Sequence, residues 1–163
     1  KGVPRGWGIF SRETINPSPP QRRDSLYKRE NSIKRVSHRF FMKKILFIED
    51  ESALQRAVSE VLGKEGYHIL SALDGERGFE MAQKEKPDLI LLDLILPKKD
   101  GFEVLAGLKK NPDTKDIPVI VLTNLEGSVD VERVLAAGAT TYLVKTNYRL
   151  EEVAQKIKEI IGG

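Results

Sequence analysis

From residue 42 onward, apolar runs of strand length alternate with stretches in which apolar residues recur at helical spacing. Ile45–Ile48 is a wholly apolar strand. Leu54, Ala57, Val58, Val61 and Leu62 then fall at i, i+3, i+4, i+7 and i+8, which is one face of a helix. Ser52 and Gln55 have the spacing of a capping box at its start, and Gly66 stops it. Tyr67–Ala72 alternates as a second strand. Asp74 is placed to cap a second helix running to about Lys84, with Phe79 and Ala82 turned inward.

Leu89–Leu92 is a third strand, followed by a helix that begins at Asp100-Gly101 and carries Phe102, Leu105 and Leu108. The run from Ile117 to Leu122 forms a fourth strand ending at Thr123, with Pro118 near its start, where a missing N–H is tolerated. Val131, Val134 and Leu135 mark a fourth helix that ends at Gly138. Thr140–Val144 is a fifth strand ending at Lys145. A last helix shows the clearest stripe, through Leu150, Val153, Ala154, Ile157, Ile160 and Ile161. Five strand–helix units predict an α/β fold, a doubly wound parallel sheet with helices on both faces. Right-handed crossovers then gather every strand C-terminus along one edge, where open sheets of this class bind ligands.

The first 41 residues break this pattern. They are rich in Arg, Ser, Pro and Gly and lack periodicity, so residues 1–41 read as a disordered basic extension. Met42-Lys43-Lys44 suits a natural start, which would make the extension non-native. Of the chain's net charge of +3, residues 1–41 supply +7 and residues 42–163 supply −4. Nucleic-acid binding is therefore expected only through the arm, if at all. No run approaches membrane-span length and no secretory signal is visible, so the expected location is cytoplasmic, without membrane contact. The absence of cysteine excludes thiolate chemistry, and with His38 and His68 far apart and without ligand-spaced partners, His-based metal sites and Ser-His-Asp triads are not expected.

Chemistry collects at the strand ends. The run Ile45–Ile48 passes into Glu49-Asp50-Glu51, Leu89–Leu92 into Asp93, the fourth strand into Thr123 and the fifth into Lys145. Singly, each has an ordinary reading: acids at a helix N-terminus, a turn aspartate, a β-branched strand end, a solvated lysine. Together, three acids, a hydroxyl and an amine at the ends of four strands form a coherent set. Clustered carboxylates suit Mg2+, and a hydroxyl and an ammonium suit the oxygens of a phosphoryl group.

Ile45-Leu46-Phe47-Ile48-Glu49-Asp50-Glu51, the segment from Leu91 through Asp93, Pro97 and Asp100-Gly101 to Glu103, Val121-Leu122-Thr123 and Tyr142-Leu143-Val144-Lys145 resemble the receiver domain of response regulators, of the single-domain chemotaxis type. The resemblance makes residues 42–163 a flavodoxin-like receiver domain with five helices and strand order 2-1-3-4-5. It implies Asp93 as phosphoacceptor, with Asp50, Asp93 and the Ile95 carbonyl holding Mg2+ and Glu49 acting through a water. Thr123 would bind a phosphoryl oxygen, Lys145 would pair with the phosphoryl group, and Tyr142 would be the switch aromatic.

The implied donor is a phosphohistidine on a sensor histidine kinase or phosphotransfer protein. Output would pass to an effector protein across the face made by the fourth helix, fifth strand and last helix (the α4–β5–α5 face). With the last helix ending beside Gly162-Gly163, the expectation is a stand-alone switch, not a turnover enzyme. The alternatives are a non-switching receiver-like binding module and an aspartyl-phosphate phosphatase; against the latter, Ile95 stands where one such enzyme class needs a second acid. Three residues depart from the family's usual pattern: Glu49 replaces the commoner Asp, Asn124 stands where a small residue is common, and Thr146 follows Lys145 in place of proline. A cis peptide there would cost about 3 kcal/mol without proline, so the reach of Lys145 is the point to test.

Overall fold

The computed structural model describes residues 42–162; the arm, and the disorder expected of it, lie outside them. Five parallel strands are ordered β2-β1-β3-β4-β5: β1 (Lys44–Ile48), β2 (His68–Ala72), β3 (Leu89–Leu92), β4 (Val119–Thr123) and β5 (Thr141–Val144). Five helices connect or follow them: α1 (Ser52–Lys64), α2 (Gly75–Glu85), α3 (Gly101–Lys110), α4 (Ser128–Ala136) and α5 (Leu150–Ile161). The central strands are buried on both faces, which is why they read as unbroken apolar runs instead of alternating. Among the described residues, no helix is long and apolar enough to cross a membrane.

Alternation along the strands divides the core in two. Ile45, Phe47, Leu89, Leu91, Ile120 and Leu122 pack with Val58 and Leu62 of α1 and Val153 and Ile157 of α5. Leu46, Ile48, Ile90, Leu92, Val119 and Val121 point the other way, onto α2, α3 and Val134 of α4.

Local chemistry sets the helix starts. Asp74 accepts the Arg77 N–H at 2.8 Å, and Asp100 accepts that of Glu103 at 2.8 Å, as N-caps should. At α1 the expected capping box does not form. Ser52 is already helical, Glu51 is the N-cap without a side-chain bond, and the Gln55 side chain is turned into the core. Other departures are smaller. β4 begins at Val119, because Pro118 can only accept there, its carbonyl taking the Ile90 N–H at 3.0 Å. Leu135, expected inward, is 46% exposed, since Val134 alone takes the inward position on that turn of α4.

Two glycines let backbones meet beside the sheet's C-terminal edge. A Cβ on Gly101 would lie 2.2 Å from the Asp93 carbonyl oxygen and 2.5 Å from the Leu94 Cα. A Cβ on Gly75 would lie 1.8 Å from the Lys99 carbonyl oxygen. The start of α3 is thus pressed against the backbone of Asp93, and the start of α2 against the β3–α3 loop. Gly101→Ala is expected to cost about 1–3 kcal/mol by overpacking and to shift the Asp93 amide resonance, read by urea unfolding and by a two-dimensional amide spectrum. An unchanged midpoint and spectrum would show that the contact has slack.

Candidate functional site

Parallel register brings the reactive residues together. Ile48 pairs with Leu92, so Glu49 and Asp93 leave the sheet side by side. Thr123 pairs with Val144, which puts the Thr123 hydroxyl and Lys145 at neighbouring strand ends. Each turn is tied to the adjacent strand: the Glu49 N–H donates to the Ala72 carbonyl and the Asp93 N–H to that of Ile48, both at 3.0 Å.

The Lys145 ammonium sits between two carboxylates. It donates to Asp93 Oδ2 at 2.6 Å and lies 2.6 Å from Glu49 Oε2. The Glu49 contact is a buried ion pair of the same length, so a single ammonium serves both carboxylates. The second Glu49 oxygen accepts the Glu51 N–H at 3.2 Å, and Asp93 Oδ1 accepts the Ile95 N–H at 3.2 Å. Glu49 is 1% exposed and Asp93 5%, while Asp50 is open to solvent. Carboxylate oxygens of Glu49, Asp50 and Asp93 all lie within 4.8 Å of one another. Thr123 is fully buried, and its Oγ1 finds no partner among the described residues.

Three carboxylates so close, with one ammonium between them, leave excess negative charge. Oxygen ligands of this hardness fit Mg2+ or another hard divalent cation. The sharing of one ammonium by two buried carboxylates is consistent with that fit, because it leaves negative charge for a cation to offset. Burial pushes the Glu49 carboxyl above its ordinary range; the Lys145 ammonium opposes this and the Asp93 charge adds to it. For Lys145, burial works against the charge, but Asp93 and Glu49 together outweigh it and hold the ammonium above its usual value.

Glu49, Asp50, Asp93, Thr123 and Lys145 lie at the strand ends named for them, and Ile95 lies in the loop after β3. Lys145 reaches Asp93 without a proline at Thr146: no cis peptide occurs among the described residues, and Lys145–Asn147 form a single 3-10 turn. The Thr146 hydroxyl instead lies 3.3 Å from Glu126 Oε1. Tyr142 is set back from the carboxylates. Its phenol donates to the Leu125 carbonyl at 2.6 Å, tying β5 to the β4–α4 loop, and burial raises its pKa.

Sequence reasoning missed two supports. Lys98, in the left-handed region at φ +66°, reaches Asp74 Oδ2 at 2.8 Å and straps the β3–α3 loop to the cap of α2. Gln55 is buried and bonded to strand-end carbonyls. A signal for it existed: Gln55, Val58 and Leu62 share the i, i+3, i+7 spacing of the buried stripe, so a polar residue stood on the core face.

The raised Glu49 pKa fixes a pH dependence. In the metal-free folded chain Glu49 binds its proton at higher pH than its unfolded value of 4.5, so stability falls as pH rises through the interval above 4.5. Lys145 acts oppositely in range: its contribution persists at neutral pH and is lost only as pH climbs through its raised value, above 10.5. Glu49→Gln is expected to flatten the slope of the unfolding midpoint in the interval above pH 4.5; a slope identical to the parent's would assign it to another group.

Comparison with known proteins gives this geometry a family. The family model described as the response regulator receiver domain matches residues 45–158. The DNA-binding dual master transcriptional regulator RpaA of Synechocystis is 39% identical over 120 residues, which cover 74% of this chain and 49% of the relative. Response regulator PleD of Caulobacter vibrioides is 39% identical over 102 residues, or 63% of this chain and 22% of the relative. The chain therefore spans about half the length of such curated relatives, or less. Among solved structures, the Mn2+-bound form of response regulator Rcp1 is 39% identical with a TM-score of 0.62, covering 72% of this chain and 92% of that one. The receiver domain of a Pseudomonas aeruginosa sensor histidine kinase, with magnesium coordinated in its active-site cleft, is 28% identical with a TM-score of 0.68, covering 75% and 99%. Ordered motifs, the 2-1-3-4-5 sheet and the match over residues 45–158 make this chain a member of the response regulator receiver domain family of two-component signalling.

Proposed function

We propose that this chain is a phosphorylation switch that accepts a phosphoryl group onto Asp93 from a phosphohistidine of a sensor histidine kinase or phosphotransfer protein. The observation that carries this reading is the Lys145 ammonium held 2.6 Å from Asp93 Oδ2 beside a three-carboxylate cluster. In the transfer, a carboxylate oxygen of Asp93 forms a bond to phosphorus as the phosphorus–nitrogen bond breaks, and the imidazole leaves with the electron pair. Asp50, Asp93 and the Ile95 carbonyl would hold Mg2+, with Glu49 acting through a water. Mg2+ supplies positive charge against the transferred oxygens. Lys145 exchanges part of its contact with Asp93 for a phosphoryl oxygen, and the donor-capable Thr123 hydroxyl takes another.

The chain acts as a self-catalysed acceptor, not a turnover enzyme: the residue two positions after Asp93 is the exposed, apolar Ile95, which offers no acid or base for hydrolysis. The proposed location is the cytoplasm, where such kinases present their phosphohistidines. Output leaves by protein contact across the α4–β5–α5 face. Val129 is 75% exposed and Leu135 46% on α4, apolar surface that a partner can bury. Tyr142 links that face to the site through Leu125, so a shift of Thr123 toward the phosphoryl group biases the β4–α4 loop. A stand-alone regulator would meet a separate effector there, and a linked output domain could use the same face.

Acetyl phosphate with Mg2+ is expected to add one phosphoryl group per chain, seen by intact mass, and Asp93→Asn to add none. Equal labelling of Asp93→Asn would remove Asp93 as acceptor, and many turnovers on a small phosphoester would favour the phosphatase reading. Asp50→Asn is expected to raise the thermal midpoint of the metal-free chain, by relieving like-charge repulsion, and to abolish stabilisation by millimolar Mg2+. A lowered midpoint with intact Mg2+ stabilisation would place the metal elsewhere.

A further inference from the structure

The acidic turn between β1 and α1 has to hold two ligands of different exposure, buried Glu49 and open Asp50, on three consecutive residues. What fixes it is one residue outside the turn. Gln55 is 7% exposed and lies one helical turn into α1. Its Nε2 donates to the Glu49 carbonyl at 2.9 Å and to the Ala72 carbonyl at 2.8 Å, which uses both amide hydrogens. The Phe47 carbonyl, at 3.5 Å, completes the ring of acceptors. An oxygen in that place would face three carbonyl oxygens, so the surroundings select the amide nitrogen. Meanwhile the Gln55 backbone N–H donates to the Glu51 carbonyl at 3.0 Å. A single residue therefore grips the turn on both sides of Asp50, at Glu49 and at Glu51. The Ala72 carbonyl also accepts the Glu49 N–H at 3.0 Å, so the same carboxamide locks the ends of β1 and β2 together.

We propose that Gln55 is a positioning residue for the metal site, its carboxamide holding the backbone from which Glu49 and Asp50 present their carboxylates. This rests on the reading of the cluster as the Mg2+ site of a phosphoacceptor. Groups that orient metal ligands without touching the metal commonly govern about 10–100-fold in affinity. Packing alone cannot explain a donor here: an apolar side chain of the same size would fill the space, take the side-chain donor from the Glu49 carbonyl and leave the Ala72 carbonyl with one donor in place of two.

The test compares Gln55→Met, which keeps volume and removes both donors, with Val58→Ala, a core truncation on the same buried face of α1. Mg2+ titration by calorimetry is expected to give Gln55→Met a dissociation constant raised about tenfold, and Val58→Ala one within about twofold of the parent despite its lower thermal midpoint. Hydrogen exchange in the metal-free chain gives a second readout: the Glu49 and Gln55 N–H groups are expected to exchange faster in Gln55→Met at matched stability, and not in Val58→Ala. Should Gln55→Met not fold, Gln55→Asn, one methylene too short to span both carbonyls, is expected to show the same pair of changes. Unchanged affinity and exchange in the Gln55 variants, or equal changes in Val58→Ala, would overturn the assignment. A parent chain that binds no Mg2+ would instead sink the phosphoacceptor reading, and the exchange measurement would still decide what Gln55 does.

Discussion

The structure turns on the burial of carboxylates at the ends of apolar strands. Glu49 and Asp93 are almost fully removed from water, and burying an unpaired carboxylate is far costlier than any single core contact returns. One ammonium, Lys145, offsets part of that cost for both, and register places it there: β5 must pair with β4, and β3 with β1, for the three groups to meet. Such an arrangement is poor for stability, because apolar residues of equal volume would serve the fold better. The two-sided core of Phe47, Leu91, Ile90, Val121 and their neighbours is what makes the deficit tolerable.

Much of this was legible in the sequence because it follows from periodicity. Wholly apolar runs such as Leu89–Leu92 mean strands covered on both faces, and acid, hydroxyl and amine at their ends mean one shared edge. What escaped had local spacing that pointed to another answer. Ser52 and Gln55 have capping-box spacing, yet strand-end carbonyls compete for the Gln55 amide and win, since they are buried and a helix N-terminus can use water. Leu135 matches a helical stripe, but α4 is a single short layer over the sheet and one inward residue per turn suffices. The Lys98–Asp74 pair joins residues 24 apart in sequence, and no pattern of spacing encodes it. The apparent obstacle at Thr146 came from comparison with proline and not from geometry; a 3-10 turn carries Lys145 to Asp93 without it.

The loops around the edge are held with unequal firmness. The β3–α3 loop is fastened by the close approach at Gly75, the Lys98–Asp74 pair and the Gly101 contact with Asp93. The β4–α4 loop is held more lightly, by the Tyr142 phenol at Leu125 and an exposed contact between Thr146 and Glu126. Segments with few buried contacts and solvent-exposed hydrogen bonds open at least cost. Rigidity is thus concentrated where ligands must be aimed, and freedom where a neighbouring surface can respond.

The strand order also shapes how the chain acquires its fold. β1 is the first strand described and the second in the sheet, and its other neighbour, β3, begins 45 residues after Lys44. As the chain emerges, Ile45-Leu46-Phe47-Ile48 must wait with one edge unpaired while β2, α2 and their loops are made. An apolar strand kept open in this way is a template for wrong partners, and long-range parallel pairing is slow to close. Lys43 and Lys44 stand directly before it, charged gatekeepers whose mutual repulsion between copies opposes edge-to-edge association until the native neighbour arrives.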